Sequence, residues 1–481
     1  MKKEVLIISG YPPANFHSLE QGGIPLSSFL KSISEKNDLF YLPLHSLGSI
    51  AVGTYAALND VNISIKDYYF DTFTDSKPDI IGISSTFYDL PHVSEMARFF
   101  KEKYPDTKII LGGPLSWSYP PKKILSTIQE IDVIVMKEGE QTFVDVCNTL
   151  LSNKKLGNVD GIVYKENGNI KTKPLRAPMQ LDDLPFPDWR LVDLQNKINM
   201  IPIETARGCV YNCGFCSEVH YWDKPVRFKT IKRVIDEFEF NIKTFNTTTF
   251  RFVDSCFTAP EKRCMEICDN LISNFINNGI NIKWSSYGRV SDLHPRLIEK
   301  MKNAGCVALD IGMESGDNAI LNKMNKKYSS SNIANVISCA KGAGIITNCN
   351  IIIGFPGETM DSVNKTIDIL NTLGPDIYQC VLLDLAPNTD LNENPNKYGI
   401  SGDRLEWKHE TMNSDSAKTL MKKMTKEVTA SCLFPGGEYV ACMFTALGYS
   451  QDEIRNFFRN ISCEKYGDTE YDMVKRVFKQ Y

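Results

Sequence analysis

Three cysteines, Cys209, Cys213 and Cys216, stand as Cys-x3-Cys-x2-Cys within Arg207-Gly208-Cys209-Val210-Tyr211-Asn212-Cys213-Gly214-Phe215-Cys216. Thiols grouped this closely in a long chain are metal ligands or buried free thiols rather than part of a disulfide scaffold. On a four-iron cluster, three thiolates leave one iron without a protein ligand. That open position is what a metal site needs when a substrate must coordinate it. Gly208 and Gly214 let the backbone wrap closely around a compact inorganic core. The alternatives are a zinc site and unrelated free thiols. Zinc needs a fourth ligand, and His220 is the nearby residue that offers one. Of the fourteen cysteines, Cys264 and Cys268 fall four apart on one helix face, as packing residues or a metal pair. Cys306, Cys339, Cys349 and Cys380 read as small core hydrophobes, and Cys432, Cys442 and Cys463 are scattered, so one cluster is expected.

The elements that must carry this loop follow from hydrophobic runs. Up to about residue 153, short apolar runs over 5–9, 80–84, 109–111 and 133–135 alternate with amphipathic stretches over 93–100 and 143–151. Buried parallel strands joined by crossover helices give that pattern, a doubly wound α/β domain of the flavodoxin-like or Rossmann type. Gly112-Gly113-Pro114 follows one strand directly, at the carboxyl end where such sheets bind ligands. Residues 154–195 read as a hairpin turning at Asn167-Gly168, then a Pro-interrupted acidic linker, Leu181-Asp182-Asp183-Leu184-Pro185-Phe186-Pro187-Asp188. From 196 to 390 six strand–helix units recur, with strands over 201–206, 248–253, 282–286, 307–311, 347–353 and 377–383, the pattern of a partial (β/α)6 barrel. The cysteine loop follows the first of these strands, at the rim where barrels keep their catalytic groups. Residues 391–481 carry helical patterning and are expected to form a helical C-terminal extension.

Length and composition agree with several domains. A chain of 481 residues exceeds what one core holds, about 250–300 residues. An apolar share of 42% with 23% charged residues excludes extensive disorder. A net charge of -4 gives no chain-wide attraction to phosphate, so no nucleic-acid partner is expected. The run Val5-Leu6-Ile7-Ile8-Ser9 is too short for a signal peptide and lacks a cleavage site. No stretch approaches the roughly 18 apolar residues of a membrane helix, so a cytoplasmic protein without a membrane partner is expected.

The triplet, with aromatic Phe215 before its last cysteine, is the motif of the radical S-adenosylmethionine (SAM) superfamily. Further segments resemble that family: Phe252-Val253-Asp254, Trp284-Ser285-Ser286-Tyr287-Gly288-Arg289, Gly312-Met313-Glu314-Ser315-Gly316 and Gly354-Phe355-Pro356-Gly357-Glu358-Thr359. The resemblance covers residues 201–390 and implies a [4Fe–4S] cluster on Cys209, Cys213 and Cys216, with SAM on its open iron. It implies Arg289 forked onto the SAM carboxylate, Glu314 accepting from ribose hydroxyls, and Phe215 and Ile353 forming an adenine slot. Asp254, Ser286, Gly312 and Ser315 complete the expected cofactor contacts. An electron delivered by a flavodoxin- or ferredoxin-type partner would split SAM into methionine and a 5′-deoxyadenosyl radical.

The N-terminal segments resemble the cobalamin-binding domain that precedes the barrel in one large subfamily. They are Pro78-Asp79-Ile80-Ile81-Gly82-Ile83-Ser84, Ile109-Ile110-Leu111-Gly112-Gly113-Pro114 and Glu138-Gly139-Glu140. The resemblance implies that cobalamin lies against Gly112 and Gly113, with hydroxyl contacts from Ser84, Ser85 and Thr86. The subfamily's Asp-x-His-x-x-Gly segment is absent here, and His17, His45 and His92 are read as surface or packing residues. With cobalamin the expected reaction is methylation of an unactivated carbon in a small-molecule or peptide substrate. Without it, the barrel would run an oxidation, cyclisation or lyase reaction, and a cluster-bearing sensor without turnover is the third reading. In the tail, Trp407 and His409 are candidates to reach the barrel mouth. Tyr287 and Trp117 are candidates for hydrogen donation or substrate stacking.

Overall fold

The computed structural model describes residues 3–9, 46–68, 73, 77–85, 90–192, 200–222, 224–434 and 436–463. Thr86, His17 and His45 lie outside these residues, as do the side chains of Trp117 and His220. The chain divides into two compact units, the first including residues 43–196 and the second residues 197–481.

In the first unit the apolar runs become strands buried on both faces, as a parallel sheet requires. Val5–Ser9 (β1), Ile63–Asp67 (β2), Ile80–Ser84 (β3), Lys108–Gly112 (β4) and Val133–Val135 (β5) pair in parallel in the order β2-β1-β3-β4-β5. Helices Leu47–Leu58 (α1), Leu90–Lys103 (α2) and Glu140–Leu151 (α3) connect or flank them. Gly82 in β3 leaves room for Phe143 of α3, whose ring would stand 2.9 Å from a Cβ there. The hairpin Ile162–Glu166 (β6) and Asn169–Thr172 (β7) extends the sheet, β6 pairing antiparallel with β5. The segment read as leading into a linker thus begins as the edge of this sheet, because Ile162, Val163 and Tyr164 are buried against it.

The second unit is built on strands Ile201–Ile203 (β8), Thr249–Phe252 (β11), Lys283–Arg289 (β12), Cys306–Glu314 (β13), Ile346–Ile353 (β14) and Ile377–Leu382 (β15). They pair in parallel in chain order, and a short strand, Cys432–Leu433 (β18), joins β15 at the far edge. Between β8 and β11, Ala206–Arg207 (β9) pairs with Arg227–Phe228 (β10). Ser401–Asp403 (β16) and Glu406–Lys408 (β17) form a small hairpin in the tail. The helices are Ile231–Phe245 (α4), Glu261–Asn274 (α5), Pro295–Asn303 (α6), Ser330–Gly342 (α7), Met360–Leu373 (α8), Ser414–Glu427 (α9), Gly437–Ala446 (α10) and Gln451–Cys463 (α11). Helix α4 shows how local chemistry sets such bounds. Thr230 caps its start by accepting from the Arg233 amide, and Asn246, left-handed at φ 52°, ends it.

The two faces of this sheet are covered differently. Phe250 and Phe252 pack against Phe238 of α4 with tilted rings, so their face is the outer one. Helix α10 packs on the opposite, inner face: Cys442 Sγ donates to the Phe250 carbonyl at 3.3 Å. The tail read as a helical cap therefore fills part of the sheet's concave side. Gly437 makes that approach close, since a Cβ there would lie 2.6 Å from Ile377. Cys264 and Cys268 of α5 are buried, with Cys306, Cys349, Cys380, Cys432 and Cys442, as packing residues.

Candidate functional site

The cysteine loop is held at its stem. Asp254, just beyond β11, accepts from the Thr205 amide at 2.6 Å, the Ala206 amide at 3.0 Å and the Thr205 hydroxyl at 2.5 Å. Burial pushes Asp254 up to about 6, against the pull of those hydrogen bonds. The carboxylate expected to touch a cofactor is spent on the backbone that leads into the loop. Pairing of β9 with β10 closes the loop's base, and Arg207 is fixed there by Glu204 at 2.9 Å and by the Trp222 ring, 5.3 Å from its guanidinium. Gly208 then turns the chain at φ 104°, a conformation that excludes a side chain.

Cys209, Cys213 and Cys216 lie within electrostatic reach of one another. Among the described residues, however, no three Cys, His, Asp or Glu side chains are gathered as ligands of one ion. Burial pushes the Cys209 and Cys216 thiols up, and coordination to metal deprotonates a thiol outright. Arg289 Nη1 lies 3.0 Å from Cys213 Sγ and sets a fixed positive charge beside it.

Around that arginine the structure gathers a second set. The Arg289 guanidinium sits 4.0 Å from the Tyr211 ring and donates to the Lys326 carbonyl. Lys326 is buried and pairs with Glu314 at 2.7 Å, its ammonium 5.4 Å from the Phe215 ring. Glu314 adopts φ 63° at a register shift in β13, which turns its carboxylate toward Lys326. Tyr328 donates its hydroxyl to the Gly312 carbonyl. Phe215, Arg289, Gly312 and Glu314 are thus brought together beside Cys213. Tyr211, Lys326 and Tyr328 join them and were not anticipated. Tyr211 sits inside the triplet itself, but nothing in the spacing of Lys326 and Tyr328 marks them.

Other expected contacts fall elsewhere. Alternation along β12 puts Ser286 on the face opposite Arg289, buried with its hydroxyl unpartnered among the described residues. Ile353 likewise lies on the face opposite Asn348 and Asn350, and its neighbour Ile352 points inward. Ser315 is buried, its hydroxyl accepting from the Asp317 amide at 3.2 Å. Trp407 and His409 stack on each other and close over the loop after β14. Trp407 donates to the Leu383 carbonyl at 2.7 Å, and His409 Nε2 lies 3.1 Å from the Gly354 carbonyl. Gly354 has φ 102°, and a Cβ there would overlap the Trp407 ring at 2.2 Å.

Glu358 secures that loop by accepting from the Gly354 amide at 2.6 Å, and burial pushes it up to about 8. The folded state therefore holds the Glu358 proton more tightly than the unfolded chain does. Stability drains away as pH rises from the ordinary carboxylate range through about 8. Glu358→Gln is expected to flatten the fall in thermal midpoint between about pH 5 and 8, and parallel curves for the two proteins would refute this.

In the first unit, β3 and β4 end side by side at Ser84 and Gly112. The Ser85 hydroxyl and amide both donate to the Gly112 carbonyl, at 2.7 and 3.0 Å, so Ser85 ties the two ends together. Ser84 Oγ lies 3.3 Å from Ser46 Oγ. Gly113 has φ 87°, and a Cβ on it would meet the Ser85 carbonyl oxygen at 2.4 Å. Among the described residues a Cβ on Gly112 would meet nothing within 4 Å, leaving open space at the strand end. That cradle of bare backbone fits a large ligand such as cobalamin. His92 is engaged on its own helix, 3.9 Å from Glu95.

Residues 203–370 match the family model described as the radical SAM superfamily, and residues 50–147 match that of the B12 binding domain. Relatives include the uncharacterized methyltransferase PH0819 of Pyrococcus horikoshii, 30% identical over 68% of this chain and 71% of its own length. The anaerobic magnesium-protoporphyrin IX monomethyl ester cyclase of Rubrivivax gelatinosus is 26% identical, over 70% of this chain and 61% of the cyclase. Among solved structures, the methyltransferase TsrM of Kitasatospora setae, with cobalamin and a [4Fe–4S] cluster bound, has the same fold. Its TM-score is 0.72 at 13% identity, with 100% of both chains covered. The cobalamin-dependent SAM radical enzyme OxsB aligns at TM-score 0.65 and 16% identity, covering 99% of this chain and 75% of that one.

Proposed function

Because the chain belongs to the radical SAM superfamily and carries a B12 binding domain ahead of that segment, we propose that it methylates an unactivated carbon of a small-molecule or peptide substrate. The cofactors that go with these two domains are a [4Fe–4S] cluster, SAM and cobalamin. Bound here, they would supply the electron that splits SAM into methionine and a 5′-deoxyadenosyl radical, and the methyl group that is transferred.

The chain's own residues do the rest. Cys209, Cys213 and Cys216 would hold the cluster, Asp254 fixes the loop's stem, and Arg289 places a positive charge at Cys213. Phe215, Lys326 and Glu314 offer an apolar face and a buried ion pair beside it, suited to a nucleoside. Gly112 and Gly113 leave bare backbone for cobalamin. The observation that carries the reading is the presence of this cradle and the cysteine loop in one chain.

A flavodoxin- or ferredoxin-type donor would deliver the electron. Among the described residues no helix is long and apolar enough to cross a membrane, in keeping with a cytoplasmic enzyme. A second reading, cyclisation or oxidation without methyl transfer, is favoured by the cyclase relative. SAM labelled with CD3 separates the two. Under anaerobic reduction the first reading predicts deuterated methylcobalamin on the protein and label in the product, whereas deoxyadenosine formed with no label on cobalamin or product would favour the second.

A further inference from the structure

The inner face of the second unit's sheet carries a polar band below the cysteine loop. Alternation along the strands places Arg251 of β11, Tyr287 of β12, Asp310 of β13, and Asn348 and Asn350 of β14 on the face that α10 covers. Such a face is ordinarily apolar, and buried polar groups in it need partners.

Part of the band is satisfied. Glu438 of α10 faces Arg251, accepting from Nε and Nη2 at 3.1 Å each, and Arg251 Nη2 also donates to the Tyr287 hydroxyl at 2.7 Å. The other part is not. Asn348 and Asn350 both donate their amide nitrogens to a single oxygen of Asp310, at 3.1 and 2.5 Å. Those donations fix which end of each amide bears oxygen. The buried amide oxygen of Asn348 stands without a donor among the described residues, and the second oxygen of Asp310 and the amide oxygen of Asn350 take no donor from the other members of the band.

Charge leads to the same conclusion. Asp310 and Glu438 are two acids facing one arginine, and Arg251 is already committed to Glu438 and Tyr287. Burial, with the Glu438 carboxylate beside it, holds the charged form of Asp310 at a disadvantage that a cation placed against it would remove.

We infer that this band receives a primary ammonium group, with Asp310 as its counter-ion and Asn350 as a further acceptor, so that the substrate is an amine. The inference rests on the catalytic reading above and adds the substrate class to it. An ammonium group brings three N–H donors and one positive charge, which answer the unspent acceptors and the missing charge together. A hydroxyl of the same shape brings one donor and no charge.

The test is a ligand-observed NMR titration of the reconstituted protein, with SAM saturating, using 4-phenylbutylamine and 4-phenylbutanol as matched probes. The amine is expected to bind at least about ten-fold more tightly than the alcohol, the scale of a charge-assisted hydrogen bond. Asp310→Asn, which keeps shape and removes charge, should bring the ratio close to one while the thermal midpoint shows the variant folded. Equal affinities, no binding by either probe, or a preference that survives Asp310→Asn would overturn the inference. Deoxyadenosine formation from SAM by the same preparation keeps the two claims apart. Its absence defeats the catalytic reading, whereas its presence without amine preference defeats the substrate class alone.

Discussion

Cys213→Ala is expected to reduce 5′-deoxyadenosine formation from SAM to the level of a protein-free control. Two thiolates cannot hold a four-iron cluster open at a single iron, and Cys213 is the thiol that Arg289 faces at 3.0 Å. Cys209→Ala and Cys216→Ala should behave alike, each with loss of bound iron and acid-labile sulfide. Cys380→Ala is the control. It removes a thiol buried in β15, away from the loop, costs stability on the order of 1 kcal/mol, and should leave iron content and turnover unchanged. Deoxyadenosine formed at the wild-type rate by Cys213→Ala would refute the assignment, as would loss of iron in Cys380→Ala.

Gly112→Val should abolish cobalamin retention while the protein stays folded. Among the described residues nothing lies within 4 Å of a Cβ at Gly112, so the added side chain starts into open space and the stability change should stay within about 0.5 kcal/mol. It would fill the space offered to the ligand. Gly113→Val is expected to fail differently. Its Cβ would lie 2.4 Å from the Ser85 carbonyl oxygen, and a left-handed backbone at a β-branched residue costs roughly 1–3 kcal/mol, so the first unit itself should be destabilised. Absorbance of bound cobalamin after gel filtration, read beside the thermal midpoint, separates the two. Full cobalamin occupancy in folded Gly112→Val would show that the ligand does not pass this strand end.

The strands of both sheets were legible because parallel strands are buried on both faces and so appear as unbroken apolar runs, such as Ile80–Ser84. The cysteine loop was legible because its chemistry lies within ten consecutive residues. Contacts set by pleat were harder to place. Ser286 and Ile353 each belong to a segment of the right kind, but one residue of offset along a strand reverses the face, and both point away from Arg289 and Asn350. Asp254 was placed at the site, but its oxygens are spent on Thr205 and Ala206, a use that only the return of the chain past β8 reveals. Lys326 and Tyr328 follow a short helix after β13 and are positioned by tertiary packing alone. The tail showed helical periodicity without showing what its helices cover. Glu438, in the first turn of α10, is buried against Arg251.

The claim at the centre of this account is that the three cysteines hold a cluster with an iron open to SAM. Electron paramagnetic resonance of the dithionite-reduced, reconstituted protein tests it directly. A reduced [4Fe–4S] signal whose g-values shift on adding SAM, and which is missing from Cys213→Ala, is the predicted result. A signal that SAM leaves unchanged, or one that survives the loss of Cys213, would contradict it.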